Sequence, residues 1–175
     1  MRLYVIRHGE TYPNLKGIVS GTQECELTLN GINQAKIMGE KLKNISFDLV
    51  FSSPLKRALK TAKLITNQKI IIDKRLLERS YGQMEGLNKN LFDYKGYWNF
   101  MQNQSEADVE PVWHLIKRVS NFVENLKKQY PDKNILLVTH SGFIRALHYY
   151  LCGIPQDNDL TTLEIANCSL WVYNL

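Results

Sequence analysis

Arg7 and His8 stand side by side near the start of the chain, Arg57 follows the pair Ser52-Ser53, and His140 precedes Ser141 and Gly142. Two guanidiniums repel a cation, so this set does not read as a metal site. A guanidinium offers a planar fork of donors that fits a phosphate dianion. A neutral imidazole is a competent nucleophile toward phosphorus, and an ordinary pKa of about 6.5 keeps much of it unprotonated near neutral pH. One histidine can attack in line and become a phosphohistidine. The other, with both arginines, can stabilise charge on the equatorial oxygens. The departing alkoxide needs a proton, which a nearby carboxylic acid would supply. Two glutamates qualify, Glu78 in Leu76-Leu77-Glu78-Arg79 and Glu85 in Met84-Glu85-Gly86, and local chemistry does not separate them.

These residues need elements to bring them together, and the sequence pattern supplies candidates. Leu3-Tyr4-Val5-Ile6 reads as a short buried strand that ends at Arg7-His8. Thr28 reads as the N-cap of a helix running to about Asn44, with Ile32, Ala35, Ile37, Met38 and Leu42 as its apolar stripe. Asp48 to Phe51 is a second strand, stopped by Ser52-Ser53-Pro54, and Pro54 suits the first position of the helix through Ala58, Ala62 and Ile65. Lys69 to Ile72 is a third strand. Residues 73–110 read as a polar, irregular lid or insertion, with a short helix around Leu91 to Met101. Val112, Leu115, Ile116, Val119, Phe122, Val123 and Leu126 follow one helical face, and Lys127 and Lys128 suit its C-terminal dipole. Ile135 to Val138 is a fourth strand ending at His140. A helix through Ile144, Leu147 and Leu151 follows, and then two β-like runs, Thr162 to Ala166 and Leu170 to Tyr173. Alternating strands and helices predict one domain over 1–175, an α/β chain folded as a three-layer α/β/α sandwich with a mostly parallel sheet. In such sheets ligands bind beyond the carboxyl ends of the strands, where Arg7, His8, Ser52, Ser53 and His140 fall. The helix opened by Ser141 and Gly142 adds N-terminal amides that suit an anion.

Arg7-His8-Gly9-Glu10-Thr11 resembles the signature of the histidine phosphatase superfamily, which includes cofactor-dependent phosphoglycerate mutase. Further matching blocks follow in order over nearly the whole chain. They are Asn14; Gly21 to Thr28 with Gly31 and Gln34-Ala35; Ser52-Ser53 with Arg57-Ala58 and Thr61-Ala62; Leu77-Glu78 with Gly82 and Glu85-Gly86; and Val138-Thr139-His140-Ser141-Gly142. The resemblance implies a phosphoglycerate mutase-like fold, a phosphohistidine on His8, and a phosphoryl clamp of Arg7, Arg57 and His140. It prefers Glu78 as proton donor and leaves Glu85 a structural part. It places Asn14, Ser20, Gly21 and Thr22 against the substrate, together with Tyr81, Lys89, Ser141 and Gly142. It implies neither a metal nor an organic cofactor. Glu24 and Glu26 stand where the family usually has Asp and Pro, a departure that bears on substrate preference more than on phosphotransfer.

The same site can hydrolyse a phosphohistidine or return the phosphate to a sugar acid, depending on whether water is excluded. Tyr81-Gly82 and Gly86-Leu87-Asn88-Lys89 resemble a mutase run, and Lys89 matches a residue that contacts the substrate carboxylate there. The chain is shorter than the family's mutases, has no Arg-Arg pair, and reads His140-Ser141-Gly142 where mutases read H-G-N. Hydrolysis of phosphate monoesters of small acidic metabolites is therefore the expected activity, with mutase activity or turnover-free binding of a phospho-ligand as alternatives.

Composition sets the outer limits. The chain has 175 residues, 22 basic against 17 acidic, and a formal charge of +5. No apolar run approaches the roughly 20 residues of a membrane helix. Lysines are scattered along helices without stacking or base-reading elements, and Trp98, Trp113 and Trp171 read as core or lid residues, so neither nucleic acid nor membrane is an expected partner. His114 and His148 lie within helical patterns and read as bystanders. Three cysteines without metal-ligand spacing fit a reduced, cytoplasmic setting. The expected partner is a phosphorylated small molecule; the oligomeric state is not legible.

Overall fold

The computed structural model describes residues 1–102 and 108–175. Its elements are β1 (Arg2–Arg7), α1 (Tyr12–Leu15), α2 (Leu29–Leu42), β2 (Leu49–Ser52), α3 (Lys56–Ile65), β3 (Ile70–Ile72), α4 (Val112–Gln129), β4 (Asn134–Thr139), α5 (Ser141–Cys152) and β5 (Leu170–Asn174). The sheet order is β3-β2-β4-β1-β5, parallel except for β5, which runs antiparallel along β1.

The central strands are apolar at nearly every position because both of their faces are covered. Their alternation sorts two cores. Leu3 and Val5 of β1, with Ile135 and Leu137 of β4, pack with Leu115, Val119, Phe122 and Phe143 of α4 and α5. Tyr4, Ile6, Leu136 and Val138 point the other way, onto Met38, Leu42, Ala58, Ala62 and Ile65 of α2 and α3. This is the three-layer α/β/α sandwich.

β4 lies between β1 and β2, with Arg7 beside Thr139 and Ser52 beside Val138. The residues that follow these three strands, His8, Ser53 and His140, therefore arrive side by side at one sheet edge. The neighbouring backbone is packed closely: a Cβ on Gly9 would overlap the Gly31 carbonyl, and one on Gly31 would overlap the backbone of Glu10. The first turn of α2 thus rests directly on the loop that carries His8.

Four local expectations change. α3 begins at Lys56, not Pro54, with Leu55 at the N-cap and no side-chain cap of its own. Glu24 supplies the missing acceptor, its Oε2 taking the Lys56 N–H at 2.9 Å, so one departure from the family pattern caps a helix. Leu91 to Met101 forms no α-helix; the 3₁₀ turn Lys89–Leu91 ends at its first residue and it contains the 3₁₀ turn Gly96–Trp98, and residues 103–107 of the 73–110 insertion lie outside the described residues. Thr162 to Ala166 is not a strand: Thr162 closes the 3₁₀ turn Leu160–Thr162, and the segment pairs with no strand of the sheet. Instead its Ile165 carbonyl accepts from Arg7. Finally, α1 was not expected: Thr11 caps it, paired reciprocally with Asn14.

Candidate active site

A cavity of about 330 Å³ opens at the carboxyl edge of the sheet. Its wall includes Arg7, His8, Asn14, Ser20, Gly21, Arg57, Glu78, Tyr81, Lys89 and Ser141 from the sequence-derived set. His140, Thr22 and Gly142 are not part of that wall: His140 packs against His8, Thr22 bonds to Glu85, and Gly142 bonds to Glu78.

His8 is buried and its tautomer is fixed by geometry. Nδ1 lies 2.8 Å from the Gly9 carbonyl, an acceptor, so Nδ1 carries the proton. That leaves a lone pair on Nε2, toward which Arg57 Nε–H donates at 3.2 Å. Burial, followed by the guanidiniums of Arg57 and Arg7, holds the His8 pKa well below its ordinary value despite the Gly9 hydrogen bond. The imidazole is neutral at physiological pH. His140 is equally buried, packs edge-on against His8 with ring centroids 5.1 Å apart, and is held neutral by burial and by Arg57, His8 and Arg7.

The two arginines are anchored from behind. Arg57 donates to the carbonyls of Gly21 and Gln23, both at 2.7 Å, which ties the 20–25 loop to α3. Arg7 donates through Nη1 to Ile165 O at 2.6 Å and keeps its buried Nε without a partner among the described residues. Thr61 closes the ring: its Oγ1 accepts from Gly9 N–H at 3.0 Å and donates to the Arg57 carbonyl at 2.7 Å.

The two glutamates separate cleanly in space. Glu78 lines the cavity. Its Oε2 accepts from Gly142 N–H at 3.2 Å and Ser141 Oγ at 3.1 Å, and its Oε1 from Arg79 N–H at 2.8 Å. The start of α5 is thus met by a side-chain carboxyl group from a distant segment. Gly142 makes room for it, since a Cβ there would overlap Glu78 Oε1. Glu85 lies outside the cavity wall and accepts from Thr22 N–H at 2.9 Å and Tyr81 N–H at 3.0 Å, joining the two loops that frame the mouth. Gly21, at φ +47°, sits against that carboxylate.

Sequence reasoning missed seven wall residues: the run Gly17 to Val19, and Tyr94, Arg145, Ile165 and Asn167. Asn167 donates from Nδ2 to the His8 carbonyl and to Asn14 Oδ1, both at 3.1 Å. Asn14 Oδ1 also accepts from Thr11 N–H, so its amide can face only one way, with Nδ2 left for the cavity. Arg145 sits over Trp98, which Arg79 covers too, and donates to the Leu160 carbonyl. An arginine inside an otherwise apolar helical stripe was the signal available for Arg145. Asn167 carries no local signal, because its partners are more than 150 positions away. Among the described residues no cluster of three His, Cys, Asp or Glu could hold a metal ion, and no helix is long and apolar enough to cross a membrane.

Comparison with known proteins places this geometry in context. Residues 3–175 match the family model described as histidine phosphatase superfamily, branch 1. The chain is 33% identical over 166 residues to the adenosylcobalamin/alpha-ribazole phosphatase of Escherichia coli, covering 90% of this chain and 82% of that protein. It is 32% identical over 177 residues to a 2,3-bisphosphoglycerate-dependent phosphoglycerate mutase of Cytophaga hutchinsonii, covering 94% and 83%. The fold is similar, with a TM-score of 0.83 and 28% identity, to the crystal structure of phosphoserine phosphatase from Entamoeba histolytica in complex with 3-phosphoglyceric acid, covering 98% of this chain and 89% of that one. A neutral histidine between two anchored guanidiniums, on a phosphoglycerate mutase-like sheet, is thus accompanied by a match over almost every residue, and the chain belongs to the histidine phosphatase superfamily.

Proposed function

We propose that the chain hydrolyses phosphate monoesters of small acidic metabolites through a phosphohistidine on His8. The observation that carries this is the His8 ring itself: Nδ1–H is committed to the Gly9 carbonyl, so the basic Nε2 faces the cavity beside Arg57. In the first step Nε2 attacks phosphorus, the ester P–O bond breaks, and Glu78 gives its proton to the departing oxygen. Arg7, Arg57 and His140 hold the charge on the equatorial oxygens. In the second step Glu78 takes a proton from water, which attacks the phosphohistidine and releases phosphate. Asn14, oriented by Asn167, adds an N–H donor to the phosphoryl site. Arg145 and Lys89 line the same cavity, so four basic side chains face one acidic side chain, Glu78. A phosphate dianion offsets two of them, and the excess favours a substrate with a further acidic group.

The test is release of phosphate from an aryl phosphate and from a panel of phosphorylated metabolites by the wild-type protein and by His8→Ala. Turnover by the wild type that falls at least a thousandfold in the variant is expected. A wild type inert toward the whole panel would leave only phospho-ligand binding. Mutase activity is the second reading, favoured by Lys89 in the cavity wall. If 3-phosphoglycerate primed with a bisphosphate interconverts faster than phosphate is released, that reading replaces hydrolysis.

A further inference from the structure

His140 presents a puzzle. Its ring touches His8, yet Nδ1 is fully buried and has no partner among the described residues. Its other nitrogen, Nε2, lies 2.8 Å from Ser53 Oγ. A neutral imidazole has one donor and one acceptor, so the identity of the unpartnered atom depends on which way that 2.8 Å hydrogen bond runs.

The surroundings of Ser53 decide the direction. Ser53 is wholly buried, so its hydroxyl proton cannot go to bulk water. The backbone N–H of Leu55 points at Oγ from 3.3 Å and is itself a donor. The acceptor left to the hydroxyl, among the described residues, is His140 Nε2. Buried hydroxyls are nearly always paired, and this direction pairs that of Ser53 while leaving the hydrogen on His140 Nδ1 for an incoming acceptor. Nε2 is then the acceptor and Nδ1 carries the hydrogen. The reverse direction would strand the hydroxyl proton of Ser53 and leave a lone pair on Nδ1, which would repel an anionic oxygen.

We propose that Ser53 is a positioning residue that locks His140 in its Nδ1–H form, so that the second histidine offers a hydrogen-bond donor to a phosphoryl oxygen at His8. The topology supports the assignment. β4 lies between β2 and β1, so the ring after β4 has Ser53 on one side and His8 on the other. The device lets a neutral imidazole act as a donor without carrying a charge next to Arg7 and Arg57. It rests on the phosphoryl-transfer reading of His8 for the anion, but the tautomer is a property of the resting protein.

Nitrogen-15 NMR of histidine-labelled protein reads the tautomer directly, with His140→Gln assigning the signals. The expected wild-type pattern is a protonated Nδ1 and an unprotonated Nε2 at His140. Adding inorganic vanadate is expected to move the Nδ1–H proton downfield. In Ser53→Ala the pattern shifts toward protonated Nε2, kcat falls about tenfold, and KM changes less than threefold. Ser53→Thr retains the hydroxyl and is expected to restore both readouts, whereas Ser53→Val, of the same shape, is not. Protonated Nε2 in the wild type, an Nδ1–H signal indifferent to bound vanadate, or a Ser53→Ala variant with unchanged tautomer and kcat each overturns the proposal. Absence of phosphate release from every ester, by contrast, would count against the hydrolase reading while the tautomer and vanadate measurements still decide the role of Ser53.

Discussion

Each catalytic candidate here is held by a neighbour whose removal has a separable effect. Asn167 is the clearest case outside the sequence-derived set. It keeps the Asn14 amide turned so that its donors face the cavity, and it ties down the His8 carbonyl. Loss of one or two such hydrogen bonds costs about 0.5–1.5 kcal/mol each. Asn167→Ala is expected to raise KM three- to tenfold in steady-state kinetics. Asn167→Asp, which accepts but cannot donate, is expected to do worse; a variant as good as wild type would remove Asn167 from the site. Arg118 plays the same part for Glu78. Its guanidinium donates to the carbonyls of Arg75 and Leu77 at 2.8 and 2.9 Å and pairs with Glu110 at 2.8 Å. One lysine ammonium cannot span that set. Arg118→Lys is expected to lower kcat several-fold while leaving vanadate affinity near wild type, because the displaced group is the proposed proton donor and not the proposed phosphoryl clamp.

At the scale of elements, the site depends on close approach between backbones. Gly31 lies in the first turn of α2, where alanine would ordinarily stabilise a helix by up to about 1 kcal/mol. Here a Cβ would overlap Glu10's backbone, which is not a flexible side-chain tip. Gly31→Ala is therefore expected to destabilise by about 1–3 kcal/mol, visible as a lower denaturant midpoint, and to lower turnover by shifting the His8 loop. A stabilised variant would mean that the loop and the helix can move apart freely. The start of α5 follows a different design. It takes no cap from its own N-cap residue, His140, and accepts a carboxylate from the 73–110 segment instead. That coupling holds Glu78 at the cavity wall although its own segment has little regular structure.

For the whole molecule, two neutral histidines buried among guanidiniums link stability to pH. Both have folded pKa values held well below 6.5, first by burial and then by Arg57 and its neighbours. Above pH 6.5 neither folded nor unfolded chain binds the protons, and the full stability is present. Below it the unfolded chain takes them up and the native state refuses them, so stability falls toward the depressed folded values. The two together are expected to remove roughly 2 kcal/mol between pH 6.5 and 5.5. Urea midpoints across that window measure the slope, and His140→Gln is expected to halve it. A flat profile would show that the native site admits the protons.

The sequence by itself determined the strand-helix alternation, the two-sided burial of β1 and β4, and the presence of Arg7, His8 and His140 at strand ends and of Arg57 at a helix start. Those features are local, set by runs of apolar residues and by what terminates them. It also supplied two glutamates without a local reason to choose between them. Tertiary structure separated them, because only the packing of the 73–110 segment against α5 puts Glu78 at the cavity wall, while Glu85 joins loops outside it. It likewise decided that Thr162 to Ala166 is a loop with a carbonyl for Arg7, and that Asn167 and Ser53 stand beside the two rings. Those contacts join residues far apart in the chain, and a hydrogen bond between distant positions leaves no periodic trace in the sequence. What placed them together was the insertion of β4 between β1 and β2, a choice of sheet order that the apolar pattern of each strand leaves open.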